Sequence, residues 1–337
     1  MTREILIGII GAILLIGGIG GIIWSINNPA VPEKDDNNLL LPFAMAVIAD
    51  WHLREDKPVC RLDDDWMASQ KKDLEIIKEI CKSYKVDQVW VLGDIFHTPT
   101  VPAQVVNLAI DGLNAISEEV AGIRMIAGNH DLPYHNVNLV DRCSYGTIKR
   151  LYNTPIEGCI FGVKANGYDF GTEKDTDSDT ICIHRLVFPS ADKQMAEMAG
   201  GETTEDIAKE FPKANRVFMG DYHKGYIDTV DGKTFVMPGC MNVQSGGLAD
   251  YRPMVVIWDS YDDTYEKVCI DNPLAKVTTE HLVEAKERDE RLEACLDIAG
   301  SSLKKEFDFP GELKAIAYNL NVEELATEML TELNVGG

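Results

Sequence analysis

Residues 88–97 read QVWVLGDIFH, and this stretch decides how the rest of the 337-residue chain is interpreted. A short, largely apolar run of strand length, 88–92, ends abruptly at Gly93 and Asp94. The same arrangement occurs at 44–52 (AMAVIADWH) and at 123–131 (IRMIAGNHD). The pattern predicts three buried strands, each followed directly by polar side chains.

Segments with helical periodicity separate these three strands. Apolar residues recur at the spacing of one helix face over 67–85 and again over 103–119. Alternation of strands and helices is typical of α/β sheets. Ligands of such sheets bind at the carboxyl ends of the strands, which is where the polar motifs of this chain lie.

Further strands are predicted at 180–183, 216–219, 234–237 and 253–258. The first of them ends at His184, and the second ends at 220–223 (GDYH), so both repeat the pattern of an apolar run closed by polar residues. The polar and acidic segment 164–179 indicates a loop.

Histidine and carboxylate side chains gather at these strand ends. Five of the seven histidines lie there, together with three aspartates and an asparagine: His52, His97, His130, His184, His223, Asp50, Asp94, Asp221 and Asn129. Mixed nitrogen and oxygen donors suit a pair of divalent cations, which neutralise a phosphate and activate water. The set predicts metal-dependent phosphoester hydrolysis, with Mn, Fe or Zn better matched to it than Mg.

In order and spacing, these five motifs resemble those of the calcineurin-like metallophosphoesterase superfamily. The resemblance implies a two-sheet α/β sandwich and two divalent cations, most readily Mn. It implies that Asp94 bridges the cations and that His130 protonates the leaving oxygen or stabilises the transferring phosphoryl group. The implied ligands are Asp50, His52 and His223 for one cation, Asn129, His184 and Asp221 for the other, and Asp94 for both.

Asp221 departs from the motif of that superfamily, which usually has a histidine at this position. A carboxylate still ligates metals, and it favours harder ions such as Mn or Mg. The alternative is that Asp221 supports the ligands without contacting a cation. The two interpretations remain open at the level of sequence.

Within the superfamily, His97 at the end of 93–97 resembles DNA double-strand-break-repair nucleases of the SbcD type, including phage relatives. The turn at 236–239 (VMPG) resembles the same group. This resemblance implies a Mn-dependent DNA exo- or endonuclease subunit that forms homodimers and works with an SbcC-type ATPase. His97 would then position the substrate phosphate or assist His130.

Nucleic acid is bound mainly through basic surfaces. The formal net charge of −23 therefore argues against a protein whose overall electrostatic potential attracts DNA. This negative charge is compatible with a catalytic subunit whose partner binds the DNA. A membrane-tethered phosphatase or pyrophosphatase acting on nucleotides or lipid headgroups is the alternative. A non-enzymatic scaffold is disfavoured because the motif residues are present.

The N-terminal residues 5–24 contain no charged side chain and are long enough to cross a bilayer as a helix. They predict a membrane anchor at 1–25, followed by a polar linker at 26–38; a cleaved signal peptide and a buried helix are the alternatives. Arg3 before the span favours an external domain by the positive-inside rule. Unpaired thiols and the nuclease resemblance favour a cytoplasmic domain instead.

The predicted catalytic domain covers 39–279. Charged sequence with helical periodicity follows at 280–337 and predicts a helical cap or a segment that docks a partner. The eight cysteines include no C-x-x-C pair, so a zinc ribbon is disfavoured, and most of them are expected to be buried free thiols.

Overall fold

The computed structural model describes residues 43–152, 155–160, 163–174 and 177–283. By its internal contacts the chain divides into two units, 1–278 and 279–337. The predicted anchor at 1–25 and linker at 26–38 lie outside the described residues, as does 284–337. Within the described part, no helix combines the length and the apolar character needed to cross a membrane.

Short strands and helices alternate through the described residues. The strands are β1 (Ala44–Ile48), β2 (Gln88–Leu92), β3 (Gly122–Ile126), β4 (Glu157–Ile160), β5 (Val163–Gly167), β6 (Thr180–His184), β7 (Val187–Phe188), β8 (Glu202–Thr203), β9 (Arg216–Gly220), β10 (Tyr226–Val230), β11 (Lys233–Met237), β12 (Met254–Asp259) and β13 (Thr264–Cys269). The α-helices are α1 (Trp66–Ser83), α2 (Ala103–Ser117), α3 (Ser144–Tyr152), α4 (Lys193–Ala199) and α5 (Thr204–Glu210).

Two sheets organise the domain. The first has the order β13-β12-β1-β2-β3, in which β1, β2 and β3 are parallel and β12 and β13 are antiparallel neighbours. The second has the order β10-β11-β9-β6-β5-β4, with a parallel centre of β11, β9, β6 and β5. β7 and β8 form a small separate pair. The predicted two-sheet α/β architecture is confirmed.

The alternating side chains of β1 explain how the layers stack. Met45 and Val47 pack in one apolar cluster with Phe218 and Val236 of the second sheet. Ala46 and Ile48 point the opposite way and share a second cluster with residues of α1 and α2. Each large apolar side chain buried in these layers contributes about 1.5–3 kcal/mol, so the interior of the sandwich holds the two sheets together.

The helices begin close to where periodicity predicts them. α1 covers most of the predicted 67–85, and the carboxylate of Asp65 caps it by accepting a hydrogen bond from the amide of Ala68 (3.0 Å). α2 starts directly after Pro102, within the predicted 103–119. Proline is compatible with a helix start because its ring fixes φ and the first turn needs no N–H donor there.

The prediction of a loop at 164–179 is wrong for its first residues, 164–167. β5 occupies Val163–Gly167, pairs with β4 and β6, and buries Val163 and Ala165 while exposing Lys164. This is the alternation of a strand with one face toward solvent. The prediction of buried free thiols holds: the described cysteines are unpaired, and those at 60, 81, 143, 182 and 240 are buried.

Candidate active site

The turns after five strands bring the predicted residues to one edge of the sandwich. In chain order they are Asp50 and His52 after β1, Asp94 and His97 after β2, Asn129 and His130 after β3, His184 at the end of β6, and Asp221 and His223 after β9. Parallel pairing continues beyond the first strands: the amide of Asp50 donates to the carbonyl of Gly93 (3.1 Å), and that of His52 donates to the carbonyl of Asp94 (2.9 Å). Sheet register therefore aligns the first two motifs.

Several of these residues have a left-handed backbone. The φ angle is 51° at Asp50, 45° at His52, 53° at Asp94 and 95° at Asp221. Each such residue costs on the order of 1–3 kcal/mol, and strain of this kind concentrates at functional sites. The folded sandwich holds these four side chains in conformations that a free chain avoids.

Two motif glycines permit the close approach of neighbouring turns. A Cβ atom at Gly128 would overlap the carboxylate of Asp94, and one at Gly93 would overlap the imidazole of His184. Gly93 also has a φ of 89°, where L side chains are disfavoured. Glycine at both positions therefore leaves room for the side chains of Asp94 and His184 in the site.

Asp94 lies between two histidines at the centre of the site. Its Oδ2 atom is 3.3 Å from Nε2 of His184 and 3.6 Å from Nε2 of His52. One group of potential ligand atoms comprises Asp50, His52 and His223, and another comprises Asp50, Asp94 and His184. Within each group, all ligand atoms lie within 4.8 Å of one another. Asp50 belongs to both groups, and Asp94 lies between His52 and His184, so the geometry suits two adjacent cations with a carboxylate between them.

Hydrogen bonds orient His184 as a metal ligand would be oriented. Its Nδ1–H donates to the carbonyl oxygen of Leu92 (2.6 Å), because a carbonyl can only accept. The lone pair of Nε2 therefore faces the site in the neutral ring, and such support from a backbone carbonyl is typical of metal-binding histidines. Oδ1 of Asn129 lies 3.0 Å and Oδ1 of Asp221 lies 3.9 Å from this Nε2.

The unsatisfied groups of the site also fit a bound cation. Oδ2 of Asp94 is fully buried and, among the residues that the structure describes, forms no regular hydrogen bond, an arrangement that costs free energy in a low-dielectric interior unless a charge compensates it. Nε2 of His52 faces Nε2 of His223 at 2.9 Å. Burial lowers the pKa of both rings, so they are neutral, which is the form that binds metal.

The carboxylates of the site stabilise a positive charge placed beside them. Burial raises the pKa of Asp50 well above its usual range, although His184 opposes the shift. Burial disfavours protonated His184, but the carboxylates of Asp94 and Asp50 outweigh it and raise the pKa of the ring well above normal. The carboxylates therefore favour a positive charge beside them, and bound divalent cations would supply it.

Three histidines adjoin the cation sites and form a separate group. Ring nitrogens of His52, His97 and His130 lie within 4.8 Å of one another. The rings of His97 and His130 stack at 5.5 Å with an interplanar angle of 22°. Burial, reinforced by Arg54, lowers the pKa of His97 to about 4. At neutral pH the His97 ring is therefore uncharged.

Other residues support the site without having been predicted. The buried carboxylate of Asp131 accepts hydrogen bonds from the amides of Phe96 (3.0 Å), Gly128 (3.0 Å) and Ile95 (3.4 Å), which ties together the turns after β2 and β3. Burial raises its pKa to about 7, and the hydrogen bonds from the amides of Gly128 and Phe96 oppose the shift. The presence of Asp131 in the third motif was a usable signal for this role.

The segment that follows β11 forms a second support. The amide of Met241 donates to the carbonyl of Asp50 (3.2 Å), and the amide of Cys240 donates to that of His223 (3.1 Å). The side chain of Gln244 donates to the carbonyl of His52 (2.9 Å). No short motif marks these residues in the sequence, because their role depends on long-range packing.

The comparison with protein families agrees with this geometry. Residues 43–225 match the family model described as calcineurin-like phosphoesterase. The chain belongs to this family. The match covers more than half of the chain and all five motifs up to His223, so the predicted superfamily is confirmed. Calcineurin-like phosphoesterases are phosphoric ester hydrolases, and their fold implies divalent cations at the ligand groups described above.

Similar solved structures include an archaeal phosphodiesterase, with 18% identity, a TM-score of 0.35, and coverage of 67% of this chain and 99% of that one. A dimetal phosphatase from Danio rerio has 12% identity and a TM-score of 0.41, with coverage of 70% and 98%. A protein from Thermus thermophilus has 9% identity and a TM-score of 0.44, with coverage of 68% and 99%. No curated protein matches the chain.

Proposed function

We propose that this calcineurin-like phosphoesterase cleaves phosphodiester bonds of DNA at a two-cation centre, as a nuclease of the SbcD type. The observation that carries the proposal is the placement of the Asp94 carboxylate between the Nε2 atoms of His52 and His184, at 3.6 and 3.3 Å. The three-histidine group beside that carboxylate supplies a proton donor and a residue that positions the phosphate.

Each motif residue has a defined part in this proposal. Asp50, His52 and His223 would hold one cation, Asn129, His184 and Asp221 would hold the other, and Asp94 would be a ligand of both. When bound, such cations would neutralise the phosphate and lower the pKa of water so that it can attack phosphorus. Water forms the new P–O bond as the old bond to the leaving oxygen breaks. His130 transfers a proton to that oxygen.

Support for manganese comes from the donor set. Carboxylates and the Asn129 amide contribute oxygen atoms, and Asp221 adds a further oxygen where the motif usually has an imidazole nitrogen. Oxygen-rich sites suit harder cations than imidazole-rich ones do. We therefore expect Mn to activate the protein better than Zn does.

The charge and the sequence of the chain support further proposals about its partners. A formal net charge of −23 suits a catalytic subunit whose partner holds the DNA, which fits an SbcC-type ATPase. We also propose a homodimer and a membrane anchor in residues 5–24, with the catalytic domain in the cytoplasm. The segment 280–337 is proposed to cap the domain or to dock the ATPase.

The proposal is tested with the purified full chain in detergent. Hydrolysis of bis(p-nitrophenyl) phosphate, p-nitrophenyl phosphate, nucleoside triphosphates, a lipid phosphate, and single- and double-stranded DNA is measured with Mn, Mg, Zn or Fe. Each assay is repeated with excess chelator, which should abolish turnover. We expect cleavage of DNA and of the aryl diester with Mn.

The same experiment discriminates the second candidate function. The uncharged run at 5–24 favours a membrane-tethered phosphatase or pyrophosphatase. Turnover of nucleotides or the lipid phosphate, with DNA left intact under every metal, would establish that candidate and refute the nuclease. Absence of turnover on every substrate and metal would refute both.

A further inference from the structure

A cavity of about 320 Å³ opens directly beside the candidate active site. Its walls include Asp221 and His223, two of the proposed cation ligands, together with Tyr222, Lys224 and Ser245. A substrate whose reacting phosphate lies at the cations would reach this cavity with the next part of its chain. The residues that line the cavity therefore decide which groups can adjoin the reacting phosphate.

Lys224 places a cation in the wall of this cavity. Three basic side chains stand near the proposed ligands in sequence: Arg54, Lys224 and Arg185. Arg54 pairs with Asp56, and Arg185 pairs with both Glu202 and Glu210. Within the described residues, the exposed ammonium group of Lys224 has neither an ion pair nor a hydrogen bond. In a chain with a net charge of −23, an unpaired lysine at the site is a local anion-binding group.

An aromatic ring forms a second wall of the cavity. The ring of Tyr222 packs against the buried ring of Phe188, with centroids 4.6 Å apart. This contact fixes the tyrosine ring from behind. Protein sites for single-stranded nucleic acid combine a cation for the backbone with an aromatic ring for a base, and the cavity presents both.

We infer that this cavity is a subsite for the nucleotide adjoining the scissile phosphate, in which Lys224 binds the neighbouring phosphate and Tyr222 contacts the base. The inference rests on the proposed phosphodiesterase function and narrows its substrate to a chain with at least two consecutive phosphates. A simple diester or monoester leaves the subsite empty.

The test uses oligonucleotides in which one phosphate next to the scissile one is replaced by an uncharged methylphosphonate, on either side in turn. In the unmodified protein, one of the two replacements should raise KM by about 1.5-fold to fivefold, the range of one solvent-accessible ion pair. Lys224→Ala should raise KM for the unmodified oligonucleotide by a similar factor. The same methylphosphonate should then have little further effect in Lys224→Ala, because the contact is already lost.

Matched variants separate this contact from a general loss of positive charge. Lys224→Arg retains the cation and should retain most of the affinity. Lys267→Ala removes another exposed lysine, from the edge strand β13, and should behave as the unmodified protein does. The salt dependence gives a second readout: the slope of log affinity against log salt should fall by about 0.7–0.9 in Lys224→Ala only.

The outcomes distinguish this inference from the function on which it rests. If no DNA is cleaved, the proposed function fails and the subsite fails with it. If DNA is cleaved but Lys224→Ala has the same KM as Lys267→Ala, the subsite is overturned and the nuclease function stands. The same conclusion follows if the increase in KM caused by Lys224→Ala adds fully to the increase caused by the methylphosphonate. A circular dichroism spectrum confirms that each variant is folded.

Discussion

The Nδ1 atom of His130 lies 2.8 Å from the backbone carbonyl oxygen of His97. Because a carbonyl only accepts, Nδ1 carries the hydrogen, and Nε2 remains as the nitrogen that can exchange a proton with substrate. The amide of His130 donates to Oδ1 of Asp94 (2.9 Å), which fixes the backbone as well. Both contacts orient the imidazole relative to the proposed bridging carboxylate. The first contact uses a main-chain carbonyl of the turn after β2, and the second uses the side-chain carboxylate of Asp94 in the same turn.

Replacement of His130 by alanine should remove turnover without removing metal. The backbone contact to Asp94 survives, and His130 is not among the proposed cation ligands. Loss of a general acid lowers kcat by about 10²- to 10⁴-fold. Steady-state kinetics and the metal content by mass spectrometry check this, with exposed His135→Ala as the control. Loss of metal together with turnover would show that His130 is a ligand.

Replacement of His97 by alanine should have a milder effect. The carbonyl that holds His130 belongs to the main chain and remains, so only the stacked ring is lost. An aromatic pair contributes about 0.5–1.5 kcal/mol, which corresponds to a decrease in kcat/KM of about twofold to tenfold.

The pH profile tests whether His97 acts through position alone. With its pKa lowered to about 4, the ring is uncharged at neutral pH. We therefore expect kcat/KM of His97→Ala to keep the pH profile of the unmodified protein between pH 6 and 9. A profile that shifts, or a loss as large as that of His130→Ala, would assign a proton-transfer role to His97.

Much of the site was predictable because each motif follows a strand directly. The apolar runs of β1, β2, β3, β6 and β9 are unambiguous, and the parallel order places their carboxyl ends together. The register of the parallel strands therefore suffices to align residues 44–52 with residues 88–97. The hydrogen bond from the amide of His52 to the carbonyl of Asp94 shows this alignment. The resemblance to a known family then added the roles.

The features of the fold and of the site that the sequence could not predict depend on long-range packing. Edge strand β13 has a mostly exposed, polar sequence, and only its pairing with β12 marks it as a strand. The contact of Gln244 with the carbonyl of His52 joins residues far apart in the chain. The positive φ angles at Asp50 and Asp94 are imposed by the fold, since that conformation is unfavourable for a residue with a Cβ atom.

The identity of residue 221 should influence metal preference. Oδ1 of Asp221 lies 3.9 Å from Nε2 of His184, and its backbone amide donates to the carboxylate of Asp50 (3.1 Å). Asp221→His restores the donor that is usual in the motif and leaves that amide in place. We expect the ratio of Zn-supported to Mn-supported kcat/KM to rise about tenfold, because imidazole suits Zn better than a carboxylate does.

Asp221→Asn serves as the control for this prediction. It retains an oxygen donor and removes the charge, so it should weaken binding of both metals and leave their ratio nearly unchanged. Metal titrations followed by activity and by calorimetry provide the measurement. An unchanged ratio in Asp221→His would place Asp221 outside the coordination sphere.

A buried carboxyl group outside the set of proposed ligands should make stability depend on pH. Asp73 on α1 is 2% exposed, and its Oδ1 accepts a hydrogen bond from Nδ2 of Asn272 (2.7 Å). Its Oδ2 is buried and has no hydrogen-bond partner within the described part of the chain. Burial raises the pKa of Asp73 from its ordinary 3.8 to about 7, although Asn272 opposes the shift.

A raised pKa in the folded state means that folding favours the protonated carboxyl group. This stabilisation is fully present below about pH 4 and is lost as the pH rises through about 7, because ionisation then has to occur in the interior. Asp73→Asn mimics the protonated form at every pH. Between pH 5 and 8 the variant should therefore gain about 2–3 kcal/mol of unfolding free energy relative to the unmodified protein.

Urea denaturation at several pH values, with the metal concentration held constant, measures this difference. The pH dependence that metal binding itself introduces is common to both proteins and cancels in the comparison. Exposed Asp250→Asn is the matched control and should run parallel to the unmodified protein. A constant offset between Asp73→Asn and the unmodified protein from pH 5 to 8 would mean that Asp73 is ionised throughout, with its charge compensated inside the folded domain.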